Sequence, residues 1–197
     1  LGVPLDLPTA VRALLAGGPR RLDLGRLSTG EHFAFAAGVG IDADMVLETT
    51  VLAKRRLGVL GYTIAAARSA LRLRVFDACI DVDGETLRER ATLVLVANGG
   101  ALFGGVFLLG PDIAPDDGQL DVCVYSTPRL SDLVSVLWRV VRRDFRPHPR
   151  LRFARGRHIR LACTPPKMVE ADGELVTETP IEVSVRPGAA TFLVPGG

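Results

Sequence analysis

Short runs of alternating hydrophobic and polar residues recur along the chain, a pattern typical of β-strands with one buried face. After residue 71 the period is two, and turn-forming glycines and prolines separate the runs. Together the runs predict about ten short strands. The clearest of them are 20–27, 32–37, 74–81, 87–97, 120–125, 151–154, 158–163, 181–185 and 190–194.

Three segments instead show helical periodicity. Residues 7–16 predict a short helix with Pro8 in its first turn and with Val11, Leu14 and Leu15 on one face. Residues 43–71 are helical in pattern, with breaks near the glycines at 58 and 61. The third segment, 131–141, is amphipathic through Leu133, Val136, Leu137 and Val140. The expected fold class is therefore mainly β (α+β), a sandwich-like pair of sheets with a few peripheral helices.

The stretch 91–111 contains no charged residue and approaches the length of a membrane span. It begins, however, as a β-branched run and contains five glycines and the turn signal Asn98-Gly99. We therefore interpret it as a buried strand, a turn and a glycine-rich segment rather than a transmembrane helix.

Composition narrows the class of protein. The balance of 24 basic and 22 acidic residues gives a net charge of +2, which does not indicate a nucleic-acid partner. Three widely spaced cysteines form no closed disulfide set, so buried free thiols and a reducing compartment are expected. No signal peptide is recognisable, and the start at Leu1 suggests a fragment or a processed product.

Common catalytic motifs are missing from the sequence. There is no phosphate loop, no GxGxxG and no GxSxG, and the three histidines lack the spacing of a zinc site. Residues 37–42, AGVGID, are open to two interpretations. They predict either an anion cradle at a helix start or a tight strand-to-helix turn capped by Asp42.

Carboxylates next to glycine are the richer signal. Three similar groups occur, at 83–85, 116–118 and 172–174, and each predicts a polar turn. The second lies in a proline-containing loop whose carboxylate and carbonyl oxygens could hold Mg²⁺. The third follows a strand-like run, and a carboxylate on a rigid turn can act as a general base toward a hydroxyl.

Residues 139–160 contain nine arginines and the single acidic residue Asp144. Two hypotheses remain open for this segment. It could contact anionic lipid head groups or a phosphate, or it could be a solvated sheet edge on which arginine prevents aggregation.

Three runs, taken in order, carry a family resemblance: FAFAAGVGIDADMV (33–46), VANGGALFGGVFLLGPDIAPDDGQLDVCVY (96–125) and VEADGELVTETPIEVSVRPGAATFLVP (169–195). Together they resemble the C-terminal half of the diacylglycerol kinase catalytic family, which includes bacterial diacylglycerol and lipid kinases, sphingosine kinases and ceramide kinases. The resemblance spans nearly the whole chain.

The resemblance implies that residues 1–197 are the C-terminal, β-sandwich-like domain of the NAD kinase/diacylglycerol kinase-like fold. The family's GGDGT and GTGN motifs are absent from this sequence. The N-terminal nucleotide-binding domain would therefore lie outside this chain, and no ATP-binding residues can be assigned. The fragment alone is expected to be inactive.

By the same resemblance, Glu174 is expected to accept the proton of a lipid hydroxyl, with Asp172 beside it, as the hydroxyl attacks the γ-phosphate of ATP. A Mg²⁺ ion is expected to bind the Asp117 side chain and the Ala114 and Gln119 carbonyls. The group at 83–85 matches a family hairpin with no chemical role.

The implied partners are a membrane lipid substrate and, with cytoplasmic location, a peripheral contact with the membrane. No nucleic acid is expected, and a homodimer is left open. Residues 102–109 are expected to line the acyl chain. Two alternatives are a non-catalytic lipid-binding or interaction domain and a related small-molecule kinase, such as one acting on NAD.

Overall fold

The structure is a computed structural model that describes residues 2–4, 6–40, 74–102 and 107–195. Its described part forms two helices and fourteen strands, in chain order α1 (Leu7–Leu15), β1 (Gly18–Leu27), β2 (His32–Phe33), β3 (Ala36–Gly40), β4 (Phe76–Val82), β5 (Glu85–Ala91), β6 (Leu93–Ala97), β7 (Ala101–Leu102), β8 (Phe107–Leu108), β9 (Leu120–Tyr125), α2 (Leu130–Val141), β10 (Leu151–Gly156), β11 (His158–Thr164), β12 (Met168–Ala171), β13 (Glu174–Glu178) and β14 (Ile181–Val194).

Two six-stranded antiparallel sheets form the body of the domain. Sheet 1 has the order β2-β1-β14-β11-β4-β5, and sheet 2 has the order β10-β9-β6-β3-β12-β13. Strands β7 and β8 form a separate two-stranded ribbon. The mainly β, sandwich-like fold class predicted from the alternation is confirmed.

The core lies between the facing sides of the two sheets. Sheet 1 contributes large side chains such as Leu27, Ile80 and Ile159, while sheet 2 contributes valines such as Val94 and Val122. These side chains are almost fully buried, and burial of each stabilises the fold by about 1.5–3 kcal/mol. The alternation along the strands therefore reflects the two faces of each sheet.

A smaller cluster covers the outer face of sheet 2. There Val136 and Val140 of α2 pack near Leu95, Cys123 and Tyr125. Because both faces of β9 are covered, all six of its residues are buried. Burial raises the pKa of the Cys123 thiol, as expected for an inert cysteine.

Four predicted strands required correction. The predicted strand 32–37 is divided, since the chain bends at residues 34–35 between β2 and β3. The run 87–97 is also divided, at the buried Thr92, where the chain passes from sheet 1 to sheet 2. The two runs 181–185 and 190–194 are instead one strand, β14, which pairs with β1 across an irregularity between Leu22 and Leu24.

The glycine cluster is also different from the prediction. Ala36–Gly40 is a fully buried central strand of sheet 2 rather than a turn or an anion cradle. Gly40 has φ 105°, and a Cβ there would lie 2.2 Å from the carbonyl oxygen of Thr92. Glycine is thus required by close backbone approach. Ile41 and Asp42 lie outside the described residues.

The predicted helices at 7–16 and 131–141 are confirmed as α1 and α2. Leu137, which was expected on the packed face of α2, is instead exposed. The helical pattern at 43–71 lies outside the described residues. In the part of the chain that the structure describes, no helix is long and apolar enough to cross a bilayer.

Candidate functional site

The turn between β12 and β13 holds the first group of candidate residues. Asp172 and Gly173 have φ values of 47° and 88°, the left-handed geometry that an Asp-Gly hairpin turn requires. The Asp172 carboxylate accepts hydrogen bonds from three consecutive backbone N–H groups, those of Ala34 (2.7 Å), Phe35 (2.9 Å) and Ala36 (3.0 Å). Asp172 thereby fixes the turn against the bend between β2 and β3.

Glu174 is the first residue of β13, the edge strand of sheet 2. Its side chain is exposed, and no hydrogen bond or ion pair to another described residue engages it. The turn is thus rigid, while this carboxylate remains accessible to a bound molecule. Position and accessibility are the two properties that a general base needs first.

Behind the turn, Glu170 is buried, and its carboxylate accepts a hydrogen bond from Gly173 N (2.8 Å). This residue was not singled out from the sequence. A glutamate at a central position of a strand was the available signal, because acidic side chains are buried only when they have partners.

The hairpin at 83–85 repeats this local geometry. Asp83 and Gly84 also have positive φ, and the Asp83 carboxylate accepts hydrogen bonds from the N–H groups of Arg157 (2.9 Å) and His158 (2.8 Å). These hydrogen bonds lower the pKa of Asp83. The two Asp-Gly-Glu turns therefore differ in their partners. The turn at 83–85 is hydrogen-bonded to the start of β11, and the turn at 172–174 is hydrogen-bonded to residues 34–36.

The second candidate group is the loop before β9. Asp117 accepts a hydrogen bond from Gln119 N (3.0 Å), and its other carboxylate oxygen lies 3.6 Å from the Arg155 guanidinium. Neighbouring Asp116 is paired with Arg20, whose Nε donates over 3.0 Å. The loop thus offers oxygen donors, the type that hard cations prefer. The described residues contain no cluster of three or more metal-ligating side chains, so a cation here would depend on backbone carbonyls and water.

Arg155 is the main positive charge at this loop. Its Nε donates to Asp121 (2.8 Å), and an Nη donates to the carbonyl of Asp112 (2.6 Å). Burial raises the pKa of Asp121, while the hydrogen bond and charge of Arg155 act in the opposite direction. Arg155 therefore offsets part of the unfavourable free energy of burying the Asp121 carboxylate.

Two buried polar residues connect the turn and the loop. The Asn98 amide donates to the carbonyls of Asp23 (2.8 Å) and Ala34 (2.9 Å). Asp23 in turn accepts hydrogen bonds from the N–H groups of Gly118 (2.6 Å) and Gly188 (2.7 Å). Together with Asp172, these contacts form a continuous chain of hydrogen bonds from the turn to the loop.

Sequence reasoning did not single out Asp23, and it treated Asn98 only as a turn residue. A polar side chain inside an apolar run was the available signal for both, since such residues are buried only when their hydrogen bonds are satisfied.

A cavity of about 460 Å³ lies along this hydrogen-bonded chain. Phe35, Gly99 and Ile113 are among its lining residues, together with Asp23 and Asp112. The amide oxygen of Asn98, which is adjacent to Gly99 in the chain, is buried and has no hydrogen-bond partner among the described residues. The site thus combines apolar walls with a small number of placed polar groups.

The arginine-rich segment is not a single uniform surface. At least six of its nine arginines form ion pairs with described carboxylates. They are Arg139, Arg146, Arg150, Arg152, Arg155 and Arg160. Several of the partner carboxylates are distant in the sequence. Carboxylates thus neutralise part of the segment's charge, and both hypotheses, contact with anionic groups and a solvated sheet edge, remain predictions. Arg152 and Arg155 lie on the edge strand β10, and Arg160 lies on the inner strand β11.

Comparisons with known proteins agree with this architecture. Residues 36–194 match the family described as the YegS C-terminal NAD kinase beta sandwich-like domain. A protein of Bacillus anthracis str. Sterne, titled a putative diacylglycerol kinase, has a similar structure, with a TM-score of 0.77 and 24% identity. The similarity covers 98% of this chain and 63% of that one. An identity of 24% shows a shared fold and nothing further.

Curated relatives are longer than this chain. A protein named putative lipid kinase from Staphylococcus epidermidis is 31% identical over 143 residues, which are 69% of this chain and 44% of that protein. An uncharacterized protein of Synechocystis sp. is 28% identical over 200 residues, 99% of this chain and 46% of its own length. The chain thus spans less than half the length of these relatives.

We expect Arg155→Ala to destabilise the fold by about 1–3 kcal/mol near neutral pH, because a buried carboxylate loses its charged partner. Without Arg155 the pKa of native Asp121 rises further above its unfolded value. Stability then decreases as pH rises through the interval between those two values, so the loss is larger at pH 7 than at pH 4.

Urea unfolding at both pH values measures this loss. Arg152→Ala, on the same strand, is the matched control; Arg152 is itself exposed and its partner Glu89 is only half-buried, so the change should cost under about 1 kcal/mol. An equal loss at both pH values for Arg155→Ala would contradict the role given to Asp121.

Proposed function

The chain belongs to the family of YegS C-terminal NAD kinase beta sandwich-like domains, and from this we propose that it is the substrate half of an ATP-dependent lipid kinase. In the proposal the longer protein transfers the γ-phosphoryl group of ATP to the hydroxyl of a lipid such as diacylglycerol or a sphingoid base. The relatives named putative lipid kinase support the substrate class. ATP would be bound mainly by a preceding nucleotide-binding domain.

The observation that carries the proposal is the Asp-Gly-Glu turn. Glu174 is exposed and unengaged by the described residues, while the turn that bears it is fixed by three hydrogen bonds to Asp172. We assign Glu174 the role of general base, and Asp172 the role of a positioning residue, since both of its oxygens accept backbone hydrogen bonds. An Asp at this place locks the turn, and a Glu two residues later reaches outward from it.

In the proposed reaction, Glu174 accepts the proton of the lipid hydroxyl as the hydroxyl oxygen forms a bond to the γ-phosphorus of ATP. The bond from that phosphorus to the bridging oxygen breaks, and ADP leaves. Because an alcohol is a weak acid, the base contributes chiefly as the new bond forms. Most of the remaining rate enhancement in phosphoryl transfer comes from positioning and charge stabilisation.

We also propose that the loop before β9 holds Mg²⁺ through the Asp117 carboxylate and the carbonyls of Ala114 and Gln119. The oxygen-only donor set and the exposed Asp117 support this. When bound, such a cation supplies positive charge near the phosphates. Asp23 and Asn98 connect this loop to the base-bearing turn through backbone groups, so the two parts are held in one arrangement.

Glu174→Ala in the longer protein should lower turnover by about 10²–10⁴, the usual contribution of a positioned general base. Folding should be unaffected, because the side chain is exposed. The measurement is phosphate transfer from ATP over a panel of lipids that includes diacylglycerol, a sphingoid base and ceramide, with NAD as a further acceptor.

Glu85→Ala is the matched control, since Glu85 occupies the same place in the other Asp-Gly-Glu turn and should be dispensable. Near-normal turnover of Glu174→Ala would refute the assignment. A longer protein that binds lipid but transfers phosphate to none of these acceptors would indicate a non-catalytic lipid-binding domain.

Asp117→Ala in the longer protein should make turnover less dependent on Mg²⁺ concentration, because the loop loses its carboxylate ligand. Calorimetric titration of Mg²⁺ into the 197-residue chain provides a second readout that does not depend on activity. Asp116→Ala, whose carboxylate is paired with Arg20, is the control. Equal Mg²⁺ binding by the Asp117→Ala variant and the original chain would remove the proposed site.

A further inference from the structure

Helix α2 is apolar over a wider arc than its packing requires. One side, with Val136 and Val140, is buried against the outer face of sheet 2. A second row of large apolar side chains is exposed: Leu130, Val134, Leu137, Trp138 and Val141. Among them Val134 and Trp138 each retain 59% of their accessible surface.

These five side chains form one stripe. At 100° per residue, positions 130, 134, 137, 138 and 141 fall within an arc of about 100°, next to the buried face of the helix. The polar residues Ser131, Ser135 and Arg139 lie on the remaining side. A contiguous apolar stripe of this kind on a domain surface indicates a surface that is covered by another molecule.

Positive charge borders the stripe. Residues 129–150 contain six arginines and two acidic residues, Asp132 and Asp144, for a net charge of +4. The two carboxylates pair with Arg139, Arg146 and Arg150. The hydrogen bond from Arg146 (2.8 Å), together with the charge of Arg139 (3.2 Å), lowers the pKa of Asp144 to about 2. The Arg142 guanidinium lies 4.7 Å from the centre of the Trp138 ring, at the edge of the stripe.

The other described helix provides a contrast. Helix α1 also exposes apolar side chains, with Leu7 at 75% and Leu15 at 81%, but Arg12 is its single charged residue. An apolar face without a charged border suits a protein partner. An apolar face with tryptophan and an arginine border has the composition of a helix that lies in the interface of an anionic membrane.

We propose that α2 docks the domain on an anionic lipid surface, with the exposed stripe inserted among the head groups and upper acyl chains. Arg142 and the neighbouring arginines would remain at the level of the lipid phosphates, where long basic side chains can extend from an apolar stem. This docking needs neither ATP nor Glu174, so it can be tested on the 197-residue chain independently of the proposed reaction.

The protein carries a suitable internal probe, because Trp138 is its single tryptophan. Vesicles of phosphatidylcholine mixed with phosphatidylglycerol should shift Trp138 emission to shorter wavelength and protect it from aqueous acrylamide. Vesicles of phosphatidylcholine alone should produce a much smaller change. Co-sedimentation with the same vesicles provides the bound fraction.

Leu137→Glu should reduce the affinity for the mixed vesicles at least tenfold, because it introduces a charge into the stripe. Since Leu137 is exposed, the variant should keep its fold, which circular dichroism checks. Leu15→Glu makes the same change on α1 and should leave vesicle affinity within about twofold. Arg142→Glu should reduce vesicle affinity at least fivefold, because each basic residue near an anionic surface contributes about a fivefold factor.

An unchanged Trp138 spectrum with mixed vesicles would overturn the proposal, as would equal effects of Leu137→Glu and Leu15→Glu. Sedimentation velocity tests the other occupant considered, a second copy of the chain. If Leu137→Glu converts a dimer to a monomer and leaves vesicle binding unchanged, the stripe is covered by a second copy of the chain and the lipid proposal is wrong.

Discussion

The carboxylate of Asp172 connects parts of the chain that are far apart in sequence. It accepts hydrogen bonds from the N–H groups of three consecutive residues, 34–36, about 137 positions away. Hydrogen bonds to an ionised acceptor contribute about 1.5–3 kcal/mol each. Because residues 34–36 bend between β2 and β3, the edge turn that carries Glu174 is held to a central strand of sheet 2. The proposed base therefore depends on this contact for its position.

From the same bend, hydrogen bonds continue toward the aspartate-rich loop. Asn98 joins Ala34 to Asp23, and Asp23 holds Gly118. The contacts are made to backbone groups, so they fix the course of the chain. The Glu174 carboxylate is left without a partner among the described residues, while Asp117 lies 3.6 Å from Arg155. The buried Asp23 and Asn98 and the exposed Asp172 thus do the positioning, and the exposed Glu174 carboxylate is left for chemistry. Helix α2 covers the outer face of sheet 2 at β6, β9 and β10.

The sequence predicted features that depend on neighbouring residues. Asp83-Gly84 and Asp172-Gly173 were identifiable as turns because aspartate and glycine favour the positive φ values that such turns need. The alternation in β4 and β11 and the apolar period of α2 likewise follow from local geometry. The family resemblance, carried by the ordered motifs, added the expectation of the sandwich fold.

Other features depend on partners distant in the sequence, and local patterns did not reveal them. The break at Thr92 exists because β5 and β6 belong to different sheets, and Gly40 is required by the approach of the Thr92 carbonyl. Likewise Asp23 and Asn98 acquire their roles only when residues 34, 118 and 188 are brought beside them. The partners of Arg152, Arg155 and Arg160 also come from other strands, so charge counting along the chain overestimated the free positive surface.

Hydrogen exchange at Ala34, Phe35 and Ala36 tests the central claim most directly, through the isosteric variant Asp172→Asn. An asparagine keeps the turn geometry but can accept at one oxygen only. At least one of the three amides should therefore exchange about tenfold faster or more, while the amides of Arg157 and His158 at the Asp83 turn stay unchanged. If all three amides keep their original protection, Asp172 does not hold the turn, and the account of how Glu174 is positioned is wrong.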